Sequence, residues 1–149
     1  MADIARTLKA KPSGGKRLLE PLKSIAAANA LPFNILEDKN VSNDAEVHMH
    51  EGDLWCCLAG RVTFVCGGKM VSPWFWEKAD GTKNKNEIKA KKIKGGKTMV
   101  LSPGDWLWIP AGEPHQHSAT GVARLIIIKI PTPALYPKST RLISGARLT

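Results

Sequence analysis

The chain has 149 residues, 43% hydrophobic and 23% charged, with a formal net charge of +9. That balance suits one soluble globular domain large enough to bury a core and excludes a disordered tail. The longest greasy stretch, Leu125 to Ile130, is strand-sized and carries a lysine, so no membrane span is expected.

Residues 1–30 read as an N-terminal extension, of which residues 1 to about 17, including KPSGGK, are loosely structured. They lack the apolar core of a signal peptide, which makes a cytoplasmic location the default. Glu20 to Ala30 is expected to form a short helix, stopped by Pro32, and LPFNIL a short strand. EDKNVSND reads as a polar turn. From Ala45 the pattern is β: EVHMH alternates, with Glu46, His48 and His50 on one face. LWCCLA is an apolar strand ended by Gly60, and RVTFV alternates before the turn CGG. MVSPWFWEK and the lysine-rich NEIKAKKIK read as extra strands around ADGTKN. KTMVL, WLWIP, the segment entered at HQHSAT, and ARLIIIKI complete the set, and a proline-rich tail from about 133 to 149 runs over the surface. Many short strands between glycine and proline turns point to an all-β sandwich or barrel.

Three cysteines, two of them adjacent, argue against a disulfide framework, and buried thiols are the simpler reading. Lys78 to Lys97 holds eight lysines against two acids, so one segment supplies most of the excess charge. It carries no pattern of a specific nucleic-acid binder. A solvated hairpin explains it, as does attraction of an anionic substrate or partner.

On a strand, positions i and i+2 share a face, so His48 and His50 can present imidazoles to one ion. Alone, that pair is weak evidence. The second segment, GDWLWIPAGEPHQH, makes it specific. Gly104, five residues, Pro110-x-Gly112, two residues and His115 match the second motif of the cupin superfamily. His48-x-His50 and Gly60 resemble the first motif, which runs HxH, three or four residues, Glu, six residues, Gly. Asp53, six residues before Gly60, stands where the family has its glutamate, after a loop of only two residues.

The resemblance to a small single-domain cupin spans roughly Ala45 to Ile130. It implies a double-stranded β-helix, or jelly-roll, barrel over 31–132, with a short N-terminal helix before it and a lysine-rich hairpin inserted at about 69–97. It implies that His48, His50, Asp53 and His115 hold one divalent ion (Fe, Mn, Ni or Zn), with Glu51 as the alternative to Asp53. His117 shares strand parity with His115 and is either a general acid/base beside the metal or a rim histidine facing water. Trp55 either lines a pocket or fills the core. The insertion's Trp74 and Trp76 share one face, which covers the barrel mouth or packs against a second subunit, the latter favoured because cupins are frequently dimers.

The functional expectation is a metal-dependent enzyme of dioxygenase, isomerase or lyase type acting on a small, possibly anionic organic substrate. Asp53 and His117 are its candidate catalytic groups. The alternative is a non-catalytic small-ligand binder or sensor. No specific nucleic-acid or membrane partner is expected.

Overall fold

A computed structural model describes residues 2–132 and 141–143 of the chain. It contains α1 (Ala2–Thr7), β1 (Gly15–Leu18), α2 (Leu22–Ala28), β2 (Phe33–Ser42), β3 (Ala45–His48), β4 (Glu51–Ala59) and β5 (Val62–Cys66). The insertion follows as β6 (Lys69–Met70), β7 (Trp74–Glu77), β8 (Lys83–Ala90) and β9 (Ile93–Lys94), and then β10 (Lys97–Leu101), β11 (Trp106–Ile109), β12 (His115–Pro131) and β13 (Arg141–Ile143). The architecture is the all-β jelly roll. Among the described residues no helix is long and apolar enough to cross a membrane.

The longest strand, β12, organises the sheet. Its first residues pair with β3 and β5, and its second half pairs with β2 and β4, with a bulge between Ala119 and Val122 on the β2 side. Inward-facing Leu125 meets Leu36, Trp55, Phe64, Leu107 and Ile109 in the main core. Ile126 points the other way and is covered by Leu19, Leu22 and Ile35, with Ile4 and Leu8 of the N-terminal segment packed beside them. Both faces of this part of β12 are therefore apolar, which explains the unbroken LIII run. Gly60 closes the tight turn after β4. Its φ is +74°, and a Cβ there would lie 2.0 Å from the Val122 carbonyl oxygen.

Two segments differ from the sequence expectation. EDKNVSND is not a turn, because β2 continues to Ser42. Glu37 and Asp38 are fully buried within it. Glu37 stands directly across from Arg17 on β1 and Arg124 on β12, and both guanidinium groups donate to it, at 3.0 and 2.9 Å. A buried carboxylate is tolerable only with such partners. The same row orders the N-terminal extension, since Arg124 also donates to the Leu8 and Ala10 carbonyls and Ser13 N–H donates to Glu37. The extension thus holds α1 and β1 as well as the expected helix.

The insertion is ordered. β7 and β8 form a hairpin, and β8 pairs with β3, so the hairpin widens the main sheet. β6 and β9 form a separate two-stranded ribbon at its base. Trp74 and Trp76 lie on the outermost strand of this sheet path and are 39% and 42% exposed. Cys56, Cys57 and Cys66 are free and buried, and burial pushes the Cys57 and Cys66 thiols up to about 11 and 12. They behave as small hydrophobes. The expected surface tail from 133 lies largely outside the described residues.

Candidate metal centre

Three strands bring four side chains to one point. Glu46 on β3 stands directly opposite His115 at the start of β12, and His48 follows two residues after Glu46 on the same face. Asp53 enters from β4, opposite Lys129 of β12. The local backbone is fixed at each entry. Gly112 N–H donates to the His48 carbonyl at 2.8 Å, which ties the Pro110–Gly112 turn to the end of β3. Just before Asp53, Gly52 has no Cβ because the Trp108 ring occupies that space, 2.2 Å from where one would stand.

One donor atom from each of Glu46, His48, Asp53 and His115 lies within 4.8 Å of the other three. His115 Nε2 is 3.4 Å from both Glu46 Oε1 and Asp53 Oδ2. His48 Nε2 is 3.6 Å from Asp53 Oδ2 and 3.8 Å from Glu46 Oε1. Bonds of about 2.0–2.2 Å to a common ion would set such separations at about 3.0–3.4 Å, a contraction of a few tenths of an ångström. Asp53 Oδ2 and His115 Nε2 are buried without a hydrogen-bond partner. A cation between them satisfies both. His115 Nδ1 lies 3.1 Å from the Glu113 carbonyl oxygen, which orients the ring with Nε2 towards the group. The residues present therefore fit one divalent ion.

Each carboxylate spends its second oxygen on a lysine. Lys89 Nζ is 2.6 Å from Glu46 Oε2 and 2.7 Å from Glu87. Lys129 Nζ is 2.7 Å from Asp53 Oδ1 and 2.8 Å from His48 Nε2. The lysines leave Glu46 Oε1 and Asp53 Oδ2 as single inward donors. Lys129 shares the His48 lone pair, so an ion on that nitrogen requires the ammonium to settle on Asp53 and on Glu51, 3.4 Å away.

The cluster is strongly coupled. Burial alone would raise Glu46 and Asp53, but His115 and the neighbouring cations outweigh it and hold both carboxyls well below the usual range. Burial alone would lower His115, but Asp53 and Glu46 outweigh it and lift the imidazole to about 9.

His48, Asp53 and His115 come together as the sequence suggests. His50 does not join them. β3 ends at His48, the chain bends through Met49 and His50, and His50 is exposed. Glu46 takes the remaining place, because strand parity runs backward from His48 and not forward through the bend. Glu51, the alternative ligand, is 40% exposed in its side chain and contacts His48 only through Nδ1, at 3.9 Å. His117 is neither at the rim nor in the donor group. It is 2% exposed, stacked on Phe64 and tilted against Trp55, with Nε2 2.9 Å from Asp38. Burial lowers its pKa against the opposing pull of Asp38. Trp55 belongs to both alternatives, filling the core and lining a cleft.

That cleft, of about 360 Å³, opens onto Glu46 and His48. Its walls carry Lys16, Arg17, Lys89 and Lys129 against Glu46 and Glu87. Only Lys89 comes from the lysine-rich insertion; the rest of that positive wall is built by β1 and β12.

No known family model matches the chain, and no curated protein matches it. Solved structures share its fold. One is E. coli ycfD, at 16% identity and a TM-score of 0.55, covering 84% of this chain and 36% of that one. Another is YcfD described as a ribosomal oxygenase from Escherichia coli in complex with cobalt and 2-oxoglutarate, at 15% identity and a TM-score of 0.53, covering 84% and 34%. The chain spans about a third of the length of these neighbours.

Proposed function

We propose that this chain, which has the cupin fold, is a metal-dependent enzyme acting on a small anionic organic substrate. Glu46, His48, Asp53 and His115 are its ligands for one divalent ion. The observation that carries this reading is the convergence of four donors, two of them buried and otherwise unpartnered, at one point beside a cleft that Glu46 and His48 help to line. Two carboxylate oxygens and two imidazole nitrogens, with no thiolate, suit Fe, Mn, Ni or Zn in the divalent state.

When bound, such an ion polarises a substrate carbonyl or carboxylate, or activates water or oxygen beside it, as dioxygenase, isomerase and lyase chemistry require. The chain's own groups bind and orient. Lys16 and Arg17 attract the anion at the mouth. Lys129 meets it beside the metal ligands and, with Lys89, fixes the two carboxylates by their outer oxygens. Trp55, Leu36 and Ile127 keep the cleft wall apolar. Asp53 is the ligand next to Lys129, with Oδ1 on the ammonium and Oδ2 turned to the donor group. His117, two residues after His115 on β12, is buried with its Nε2 2.9 Å from Asp38 and supports the strand that carries His115.

Metal analysis of untagged native protein tests the proposal. About one divalent ion per chain is expected. Protein that holds no ion as purified, and takes up none of Fe, Mn, Ni or Zn on reconstitution, would end it. A second reading, a non-catalytic binder of a small anion, is favoured by one contact, the Lys129 ammonium on His48. It requires anion affinity that survives removal of the ion.

The same reading includes a homodimer in a reducing, cytoplasmic setting, to which the three free cysteines are suited. Its interface would be strand β7, where Trp74, Phe75 and Trp76 are each about two-fifths exposed. Light scattering is expected to give twice the chain mass, and Trp76→Lys to give the monomer.

A further inference from the structure

Beside the metal-facing cleft lies a second, of about 350 Å³, walled by Leu31, Pro32, Phe33 and Asn34. The two share Leu18, Ile127 and Lys129. Strand register shows how they join. Across β2, β12 and β4, Asn34 stands opposite Ile127, which stands opposite Trp55. One step along, Lys129 N–H donates to the Pro32 carbonyl, and Lys129 stands opposite Asp53. Directly opposed residues project from the same face, so an apolar row runs beside a charged one on a continuous floor.

Two residues that line the clefts each carry a buried polar atom without a hydrogen-bond partner, the indole Nε1 of Trp55 in the first and Oδ1 of Asn34 in the second. One donates and the other accepts. Trp55 is only 1% exposed, and a buried donor left unmet is costly. At the mouth of the first cleft Lys16 is exposed and has no ion-pair partner among the described residues, whereas Arg17, Lys89 and Lys129 each hold a carboxylate.

We infer that the two clefts are halves of one binding site whose ligand is a carboxylate with an apolar body. The acid end lies in the cationic cleft, next to the Glu46–His48–Asp53–His115 group. The hydrocarbon crosses Ile127 and Leu18 into the Leu31–Phe33 side. The placing of the acid end rests on the function proposed above. The apolar end is the new element, and it sets the substrate class apart from the smallest dicarboxylates, which carry a second charge where this site is greasy.

Titration of the full-length, metal-loaded protein with butanoate, hexanoate and octanoate, followed by NMR, tests it. Each methylene that enters the second cleft is expected to tighten binding about 3- to 4-fold. 1-Octanol, which lacks the acid, is expected to bind at least about 10-fold more weakly than octanoate. Leu31→Trp, at a position 37% exposed and so harmless to folding, fills the second cleft. It is expected to leave butanoate within about 2-fold of its original affinity and to weaken octanoate by at least about 10-fold. If butanoate binds and octanoate gains nothing, or if Leu31→Trp weakens both equally, the inference is overturned while the anion-binding cleft stands. If no carboxylate binds, the proposed function falls with it.

Discussion

Glu46→Gln is expected to weaken divalent-metal binding by about 100-fold or more, and His50→Ala to leave it within about 2-fold. The two substitutions separate the donor set seen in the fold from the set suggested by the HxH spacing. Glutamine keeps the side chain's length and its place opposite His115, but it removes the charge that balances the ion and the acceptor that Lys89 holds. His50 lies beyond the end of β3, exposed, with its carbonyl accepting from Thr132 N–H at 3.1 Å. Isothermal titration with Mn²⁺ or Zn²⁺ reads both variants. Equal losses, or a loss confined to His50→Ala, would return the site to the histidine pair.

Metal affinity is expected to rise about 10-fold per pH unit between about 6.5 and 9, with about one proton released per ion at neutral pH. The cause is His115, lifted from 6.5 to about 9 by Asp53 and Glu46, which must give up its Nε2 proton before it can bind. The same shift fixes the stability of protein stripped of metal. A group whose folded pKa is raised contributes stability that is whole below its ordinary value of 6.5 and lost as pH climbs through about 9. Glu46 and Asp53, held below their ordinary 4.5 and 3.8, act in the opposite direction: their contribution is whole above those values and lost as pH falls through the folded ones. Stripped protein should therefore be most stable in mildly acid to neutral solution, and added metal should help most at alkaline pH. Melting curves at pH 6, 7.5 and 9, with and without metal, check this. A stripped protein whose melting temperature climbs from pH 6.5 to 9 would contradict the coupling assigned to His115.

The sequence carried His115 openly, because Gly104, Pro110 and Gly112 form the turn that delivers it and all lie within twelve residues. It also carried Glu46, though less visibly. The loop of two residues between His50 and Asp53 is too short for the cupin pattern, and moving the frame back by two residues gives Glu46-x-His48, four residues, Asp53, six residues, Gly60. That frame keeps the family's spacing and places a glutamate where the first histidine is usual. What hid it is local: nothing in MHEG announces that β3 stops at His48, since the hydrogen bonds that stop it come from Asn86 and Gly112, far along the chain. Glu37 and Asp38 misled for a related reason. Acidic residues beside Lys39 and Asn40 resemble a solvated turn until Arg124 and His117, about eighty residues later, are known to face them. Patterns of period two were legible; burial that depends on a distant partner was not.

The many pairings of β12 have a consequence for how the chain acquires its fold. β2, β3, β4 and β5 all take hydrogen bonds from residues 115–131, so each awaits a strand made long after it. During synthesis the first hundred residues hold several apolar strands with open edges and no template, the kind of surface on which nascent chains aggregate. Closure is then a single late event of high contact order, and it places His115 against Glu46 in the same step that seals the core. The four donors cannot come together ahead of the fold, so a chain that has stalled short of β12 offers an ion no finished site.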